Sequence, residues 1–224
     1  MEQIEEQKVY SMKEIGKRLS FSIIIPLVSI LYPILNRYRG NLNVVKLPID
    51  DLIPFSKVFI LPYVSWYPFV AAFLIMLCFI DKERYFKLLA SLALGMLTCY
   101  VIYYFYPTYV ERPLVVGRDF LSNMVLGLYR RDNPYNCWPS IHVLNSFLVV
   151  IYTLGSDKIN KFAKAICVVI AGLIILATMF LKQHYFSDVV SAIILGTTLF
   201  MSIEVCAKYM LRNKLERRNI PMAE

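Results

Sequence analysis

Charge is scarce in this chain, and so are the side chains that hold metals. Of 224 residues, only 18% are Asp, Glu, Lys or Arg, and there are two histidines and five cysteines. Four cysteines (Cys78, Cys99, Cys167, Cys206) fall inside apolar runs, where a thiol acts as a small hydrophobe. No C-x-x-C and no Cys/His cluster occurs. Neither a disulfide framework nor a zinc site is expected on that ground, nor any other metal or cofactor. Internal repeats, low-complexity tracts and a soluble second domain are missing too. The opening stretch MEQIEEQKVYSMKEIGKRLS starts with acids and is followed by no small-residue cleavage site, unlike a secretory signal peptide. It is expected to form a short cytoplasmic segment or an interfacial helix.

Apolar side chains are what the chain has. They make up 58% of it, and the mean hydropathy is +0.55. A soluble domain of this length has too little interior to hide that much. A bilayer does not impose that limit, and each helical crossing needs about 20 apolar residues. Six spans are expected, near 19–35, 58–80, 86–106, 141–155, 162–181 and 189–211. The first carries Pro26 and Pro33, which neighbouring helices can accommodate. The fold class is therefore all-α, a polytopic six-helix membrane bundle, with residues 1–224 forming a single membrane-embedded domain.

The net charge of +8 raises the question of nucleic acid. The distribution of cations answers it. Lys8, Lys13, Lys17 and Arg18, then Lys82, Arg84 and Lys87, then Lys158, Lys161 and Lys164, then Lys208, Arg212, Lys214, Arg217 and Arg218 all flank spans on one side. Positive charge in short loops marks the cytoplasmic face. The expected partner of this charge is anionic membrane lipid and not nucleic acid. Both termini are then cytoplasmic, and both histidines fall on the opposite, extracytoplasmic face.

Those histidines stand at the starts of apolar runs. In "KQHYFSDVV", His184 and Asp188 are four apart and share a face if the segment is helical. A carboxylate there fixes the imidazole tautomer and leaves the second ring nitrogen free. The plain alternative is a surface histidine with a first-turn acid favoured by the helix dipole. In "NCWPSIHV", Pro139 ends a loop and Ser140 reads as an N-cap, with His142 in the first turn. A helix N-terminus presents free N–H groups and is a natural seat for phosphate. In "YPTYVERPLVVGR", Arg112 offers a planar fork of donors matched to phosphate oxygens, the alternative being a snorkelling interfacial arginine. In "RDFLSNMVLGLYRR", Phe120, Leu121, Met124, Val125 and Leu128 recur at helical spacing. An amphipathic helix lying on the outer membrane surface is expected.

The order Arg-Pro, Pro-Ser-x-His, His-x-x-x-Asp resembles the type 2 phosphatidic acid phosphatase superfamily of integral membrane lipid phosphatases and phosphotransferases. The motifs stand here as "FYPTYVERP" from Phe105, "PSIH" from Pro139 and "ATMFLKQHYFSD" from Ala177. Phe105 replaces a motif lysine, Ile141 a glycine, and Ala177-Thr178 a Ser-Arg pair. The forms "NCWPSIHV" and "KQHYFSDV" lean toward the inositol phosphorylceramide synthase-like branch. The resemblance implies six spans, His184 as nucleophile through a phosphohistidine, Asp188 as its orienting partner and His142 as proton donor to the leaving alkoxide. It further implies that Arg112, Ser140 and the backbone near Ile141 hold phosphate oxygens. Lys182, two residues before His184, is expected to replace some of the lost charge, with Arg118, Arg130 and Arg131 as other candidates. The substrate class implied is a lipid phosphate. Three functions remain open: a lipid phosphate phosphatase, favoured by the short chain; a lipid phosphotransferase passing a phospho-headgroup to an alcohol; and a non-enzymatic membrane protein.

Overall fold

The structure is a computed structural model and describes residues 11–218. The first ten residues of the expected N-terminal segment lie outside them. Among the described residues the chain is helical, with isolated β-bridges and no strand. The helices are α1 (Met12–Leu35), α2 (Pro48–Leu52), α3 (Lys57–Ile80), α4 (Lys82–Phe105), α5 (Phe120–Arg131), α6 (Ile141–Leu154), α7 (Lys161–Phe180) and α8 (Phe186–Arg218).

Local chemistry explains where they start. A capping box between Ser11 and Glu14 begins α1 seven residues earlier than the apolar run at 19 suggests. Asp81 accepts from the Arg84 amide and opens α4, and Asn160 does the same for Ala163 and α7. Pro26 and Pro33 each remove a backbone donor. Accordingly α1 is segmented into Met12–Ser20, a 3-10 turn Phe21–Ile23, Ile24–Ser29 and Leu31–Leu35.

Among the described residues five helices, α1, α3, α4, α7 and α8, are long and apolar enough to cross a membrane. The span expected near 141–155 forms as α6 at almost those bounds, but it is short for a crossing. With 14 residues, α6 extends about 21 Å at 1.5 Å per residue, less than the roughly 30 Å of a bilayer core. Its surroundings account for the difference. It packs against α3, α4, α7 and α8, so its sides meet protein instead of lipid. Gly95 on α4 and Gly196 on α8 allow this approach. A Cβ at Gly95 would lie 2.9 Å from Leu144 Cδ2, and one at Gly196 2.8 Å from Phe147 Cδ1.

One end of the bundle is closed by charge. Glu204 of α8 takes Arg84 and Lys87 of α4, each at 2.9 Å, and Asp81 accepts from Ser156. The other end carries the long loops, which are woven together. Asn43 donates to the Pro107 carbonyl and accepts from the Tyr109 amide; Asn136 donates from its backbone to Thr108. The helix α5 forms where the periodicity placed it. Leu121, Met124, Val125 and Leu128 pack on Ile60, Tyr63, Ala177 and Leu181, while Phe120 stays exposed.

Candidate active site

His184 sits in the turn between α7 and α8. The carbonyl of Thr178 accepts from the amides of both Gln183 and His184, which ends α7 and reverses the chain. Asp188 lies in the first turn of α8, and its Oδ2 accepts from the Tyr185 amide at 3.0 Å. His184 Nδ1 lies 3.1 Å from that same Oδ2 and 3.0 Å from the Cys137 carbonyl. Both partners are acceptors, so Nδ1 carries the proton and, in the neutral ring, Nε2 keeps its lone pair. Asp188 is fully buried and His184 is 8% exposed. Burial pushes the nearby Cys137 thiol well above its ordinary pKa, so it adds no negative charge beside the imidazole.

His142 enters from α6. Ser140 caps that helix, its hydroxyl accepting from the Val143 amide at 3.3 Å, and its own amide donates to the Asp188 carbonyl at 3.2 Å. The two motifs are thereby joined through backbone as well as side chains. Tyr103 fixes the preceding turn by donating to the Pro139 carbonyl at 2.6 Å. The His142 ring packs between Trp66 and Tyr63, at centroid distances of 4.5 and 4.7 Å, and lies 5.9 Å from the His184 ring. Both imidazoles line a cavity of about 190 Å³, together with Ile141, Tyr32, Trp66, Tyr67 and Tyr103. A larger cavity of about 630 Å³ shares Tyr32, Tyr67 and His142 with it and extends beneath α5, where Arg131 and Asp132 supply the charged side chains of its wall.

The cations expected to hold phosphate are placed less simply. Arg112 donates to the Asp132 carbonyl at 2.6 Å and to Gln183 Oε1 at 2.5 Å, and its guanidinium stacks 4.6 Å over the Tyr129 ring. It therefore adjoins the His184 turn through Gln183, with neutral partners only. Lys182 does not fold back toward the histidines as expected. Its backbone is left-handed, with φ +50°, and its ammonium donates to the carbonyls of Asp50 (2.9 Å) and Ile53 (2.5 Å). Burial lowers its pKa below the usual lysine value. It lines a separate polar cavity of about 420 Å³ with Lys46, Asp51 and Glu111. The positions of the missing motif cations offer no substitute. Phe105 is 77% exposed, and Ala177 and Thr178 are buried in α7, the Thr178 hydroxyl donating back to Ile175. Arg118 and Arg130 are exposed.

Several residues of the site carried no local signal. Gln183, the Cys137 carbonyl, Thr108 and Asp50 act through partners distant in sequence. Asp50 stands beside Asp51 in a loop that also carries Arg37, Arg39 and Lys46, and nothing adjacent to it in sequence sets it apart. In the folded chain its Oδ1 accepts from the Phe186 amide at 2.7 Å and so caps α8.

Among the described residues no three His, Cys, Asp or Glu side chains gather into a metal site. Comparisons with curated proteins and with solved structures find no match. The profile of the PAP2 superfamily matches residues 55–202. That stretch runs from just before α3 into α8 and carries both histidines, Asp188 and Arg112. It is well over half of the sequence, and the chain belongs to the PAP2 superfamily.

Proposed function

We propose that the protein is a multi-pass membrane lipid phosphate phosphatase working through a phosphohistidine at His184. Its superfamily has phosphatase and phosphotransferase activity. The observation that carries the reading is the tautomer of His184. Two acceptors at Nδ1 leave Nε2 free as a nucleophile, and the residue lines a cavity that His142 also lines.

In this reading the Nε2 lone pair attacks phosphorus. An N–P bond forms, the bond from phosphorus to the lipid oxygen breaks, and protonated His142 gives its proton to the departing alkoxide. Asp188 stabilises the positive charge that the modified imidazole acquires. Water then attacks phosphorus, His142 takes its proton, and the N–P electron pair returns to Nε2. The first-turn amides of Ile141 and His142, the Ser140 hydroxyl and Arg112 are the donors for the equatorial oxygens. No step calls for a metal. The cavity beneath α5 accommodates the lipid, and α5 lies at the outer membrane surface, with both chain termini on the cytoplasmic side.

A second reading, transfer to a lipid or sugar alcohol, draws on one observation. The cavity wall beneath α5 carries a carboxylate, Asp132, whose Oδ1 accepts from Tyr32 and Asn36. A carboxylate suits hydroxyl groups better than it suits a dianionic phosphate.

Purified protein in detergent micelles distinguishes the readings. The substrates are phosphatidic acid, phosphatidylglycerol phosphate, a polyprenyl diphosphate and a phosphosphingolipid, with and without alcohol acceptors. Inorganic phosphate released without an acceptor, and acid-labile label at His184, support the phosphatase. Lipid product formed only with an acceptor supports the transferase. No turnover and no label under any condition overturns both.

A further inference from the structure

The chain on both sides of His184 is gripped by one outer segment. Two residues before it, the Lys182 ammonium binds the carbonyls of Asp50 and Ile53. Two residues after it, the Phe186 amide donates to Asp50 Oδ1, and the Ser187 hydroxyl donates to the Val45 carbonyl at 2.7 Å. Asp50 is itself pinned, because its Oδ2 accepts from the Leu47 amide at 2.8 Å and it is 4% exposed. The ties run in opposite directions. A side chain of the 182–187 turn holds the backbone of 50–53, and a side chain of 45–53 holds the backbone of the turn. Lys182 and Asp50 could have met as a simple ion pair, but each uses its charge on the other segment's backbone. Such bonds fix where the main chain runs. Here the main chain carries His184 and Asp188.

We propose that Lys182 and Asp50 are positioning residues that form a reciprocal clasp, setting the His184 ring and the Asp188 carboxylate in the geometry needed for phosphoryl transfer. The inference rests on the reading of His184 as nucleophile. It assigns a catalytic purpose to segment 45–53, which contributes no atom to the reacting centre. It also gives Lys182 a different task from gripping phosphate. Misplacement of a reacting group by about 1 Å can cost on the order of 10²-fold in rate, so loosening the clasp acts on kcat.

The test uses Lys182→Met, Asp50→Ala, their double variant and Asp50→Asn, assayed on whichever lipid of the panel above turns over fastest. Hydrogen exchange of residues 181–190 is read alongside, because it does not depend on activity. Lys182→Met and Asp50→Ala are each expected to lower kcat by about tenfold or more. KM and inhibition by inorganic phosphate should move less than about twofold, since the clasp touches no phosphate oxygen. The double variant should be little worse than the poorer single, as for two residues serving one unit. Asp50→Asn keeps one oxygen for two amides, those of Phe186 and Leu47, and its kcat should fall between the wild type and Asp50→Ala. Exchange at 181–190 should rise in Lys182→Met and Asp50→Ala. If Asp50→Ala does not fold, Lys182→Met and Asp50→Asn still decide the matter through kcat and exchange.

Two results overturn the clasp. One is phosphate inhibition weakened about tenfold in Lys182→Met at unchanged kcat, which would hand Lys182 back to the phosphoryl group. The other is unchanged exchange at 181–190 in Lys182→Met. His184→Ala separates the two levels. Full activity in that variant overturns the proposed function itself, whereas its inactivity beside a fully active Lys182→Met overturns the clasp alone.

Discussion

The Thr108 hydroxyl lies 2.8 Å from the amide nitrogen of Cys137, the residue whose carbonyl accepts from His184. The same hydroxyl accepts from the Trp138 amide at 3.2 Å. Thr108 is fully buried and stands on the loop between α4 and α5. It thus ties the Arg-Pro loop to the turn that orients the proposed nucleophile.

Thr108→Val keeps the shape and removes the acceptor. The buried Cys137 amide is left unpaired, at a cost of about 1–3 kcal/mol, and the part-buried Trp138 amide loses its partner too. The melting temperature should fall, and kcat/KM should fall by about tenfold as the Cys137 carbonyl shifts. Thr108→Ser should recover both. A Thr108→Val protein with wild-type turnover would separate Thr108 from the chemistry.

The two histidines should respond differently to truncation. His184→Ala removes the proposed nucleophile and should abolish turnover and covalent labelling together. His142→Ala should spare turnover on substrates with good leaving groups, such as p-nitrophenyl phosphate, because these need little protonation. Asp188→Asn should keep the fold and slow the reaction, since its oxygen can still accept from the Tyr185 amide while the charge opposite the imidazole is lost. Equal losses in His142→Ala on good and poor leaving groups would remove it as the proton donor.

Turnover should survive EDTA, and vanadate should inhibit by adopting the five-coordinate geometry of the transferring phosphoryl group. The expectation follows from the ligands at hand. Of the two acids near the histidines, Asp188 is engaged by His184 and the Tyr185 amide, and Asp132 by Tyr32 and Asn36. Loss of activity in EDTA, restored by magnesium, would point to a different chemistry.

The sequence made part of this site legible. Spacing of four predicted that Asp188 would meet His184, and it does, although His184 lies just before the helix. The Pro-Ser signal predicted the start of α6. What could not be read was set by contacts distant in the chain. The Cys137 carbonyl, Thr108 and Asp50 reach the His184 turn across long stretches of sequence, and no local pattern marks such pairings. Lys182 shows the opposite failure. Its nearness to His184 in sequence suggested nearness to phosphate, but a left-handed residue turns the chain and sends its side chain to Asp50. The bounds of α6 were legible to within a residue, but its enclosure by other helices was not. Apolar runs are measured against lipid, and α6 is surrounded by protein, with Gly95 and Gly196 admitting Leu144 and Phe147.

The last prediction concerns which way the bundle faces. Asp81 and the Gly155–Asn160 turn lie at the end opposite the histidines, joined there by the Ser156–Asp81 bond. The cations Lys82, Arg84, Lys87, Lys158, Lys161 and Lys164 flank these turns, and short loops rich in Lys and Arg stay cytoplasmic. The cavities that hold His142 should therefore open on the extracytoplasmic side. Cysteine labelling in intact cells tests this. Cys78, Cys99, Cys137 and Cys167 are buried, so replacing the exposed Cys206 with serine gives a quiet background. Leu114, 92% exposed on the α4–α5 loop, is changed to cysteine in one variant, and Asp157 in another. A membrane-impermeant maleimide should label Leu114→Cys in intact cells, and Asp157→Cys only after permeabilisation. The reverse pattern would turn the protein over and make its substrate a lipid of the cytoplasmic leaflet. Labelling of both from outside would contradict the alternation of the helices, and with it the shared face on which the two histidines meet.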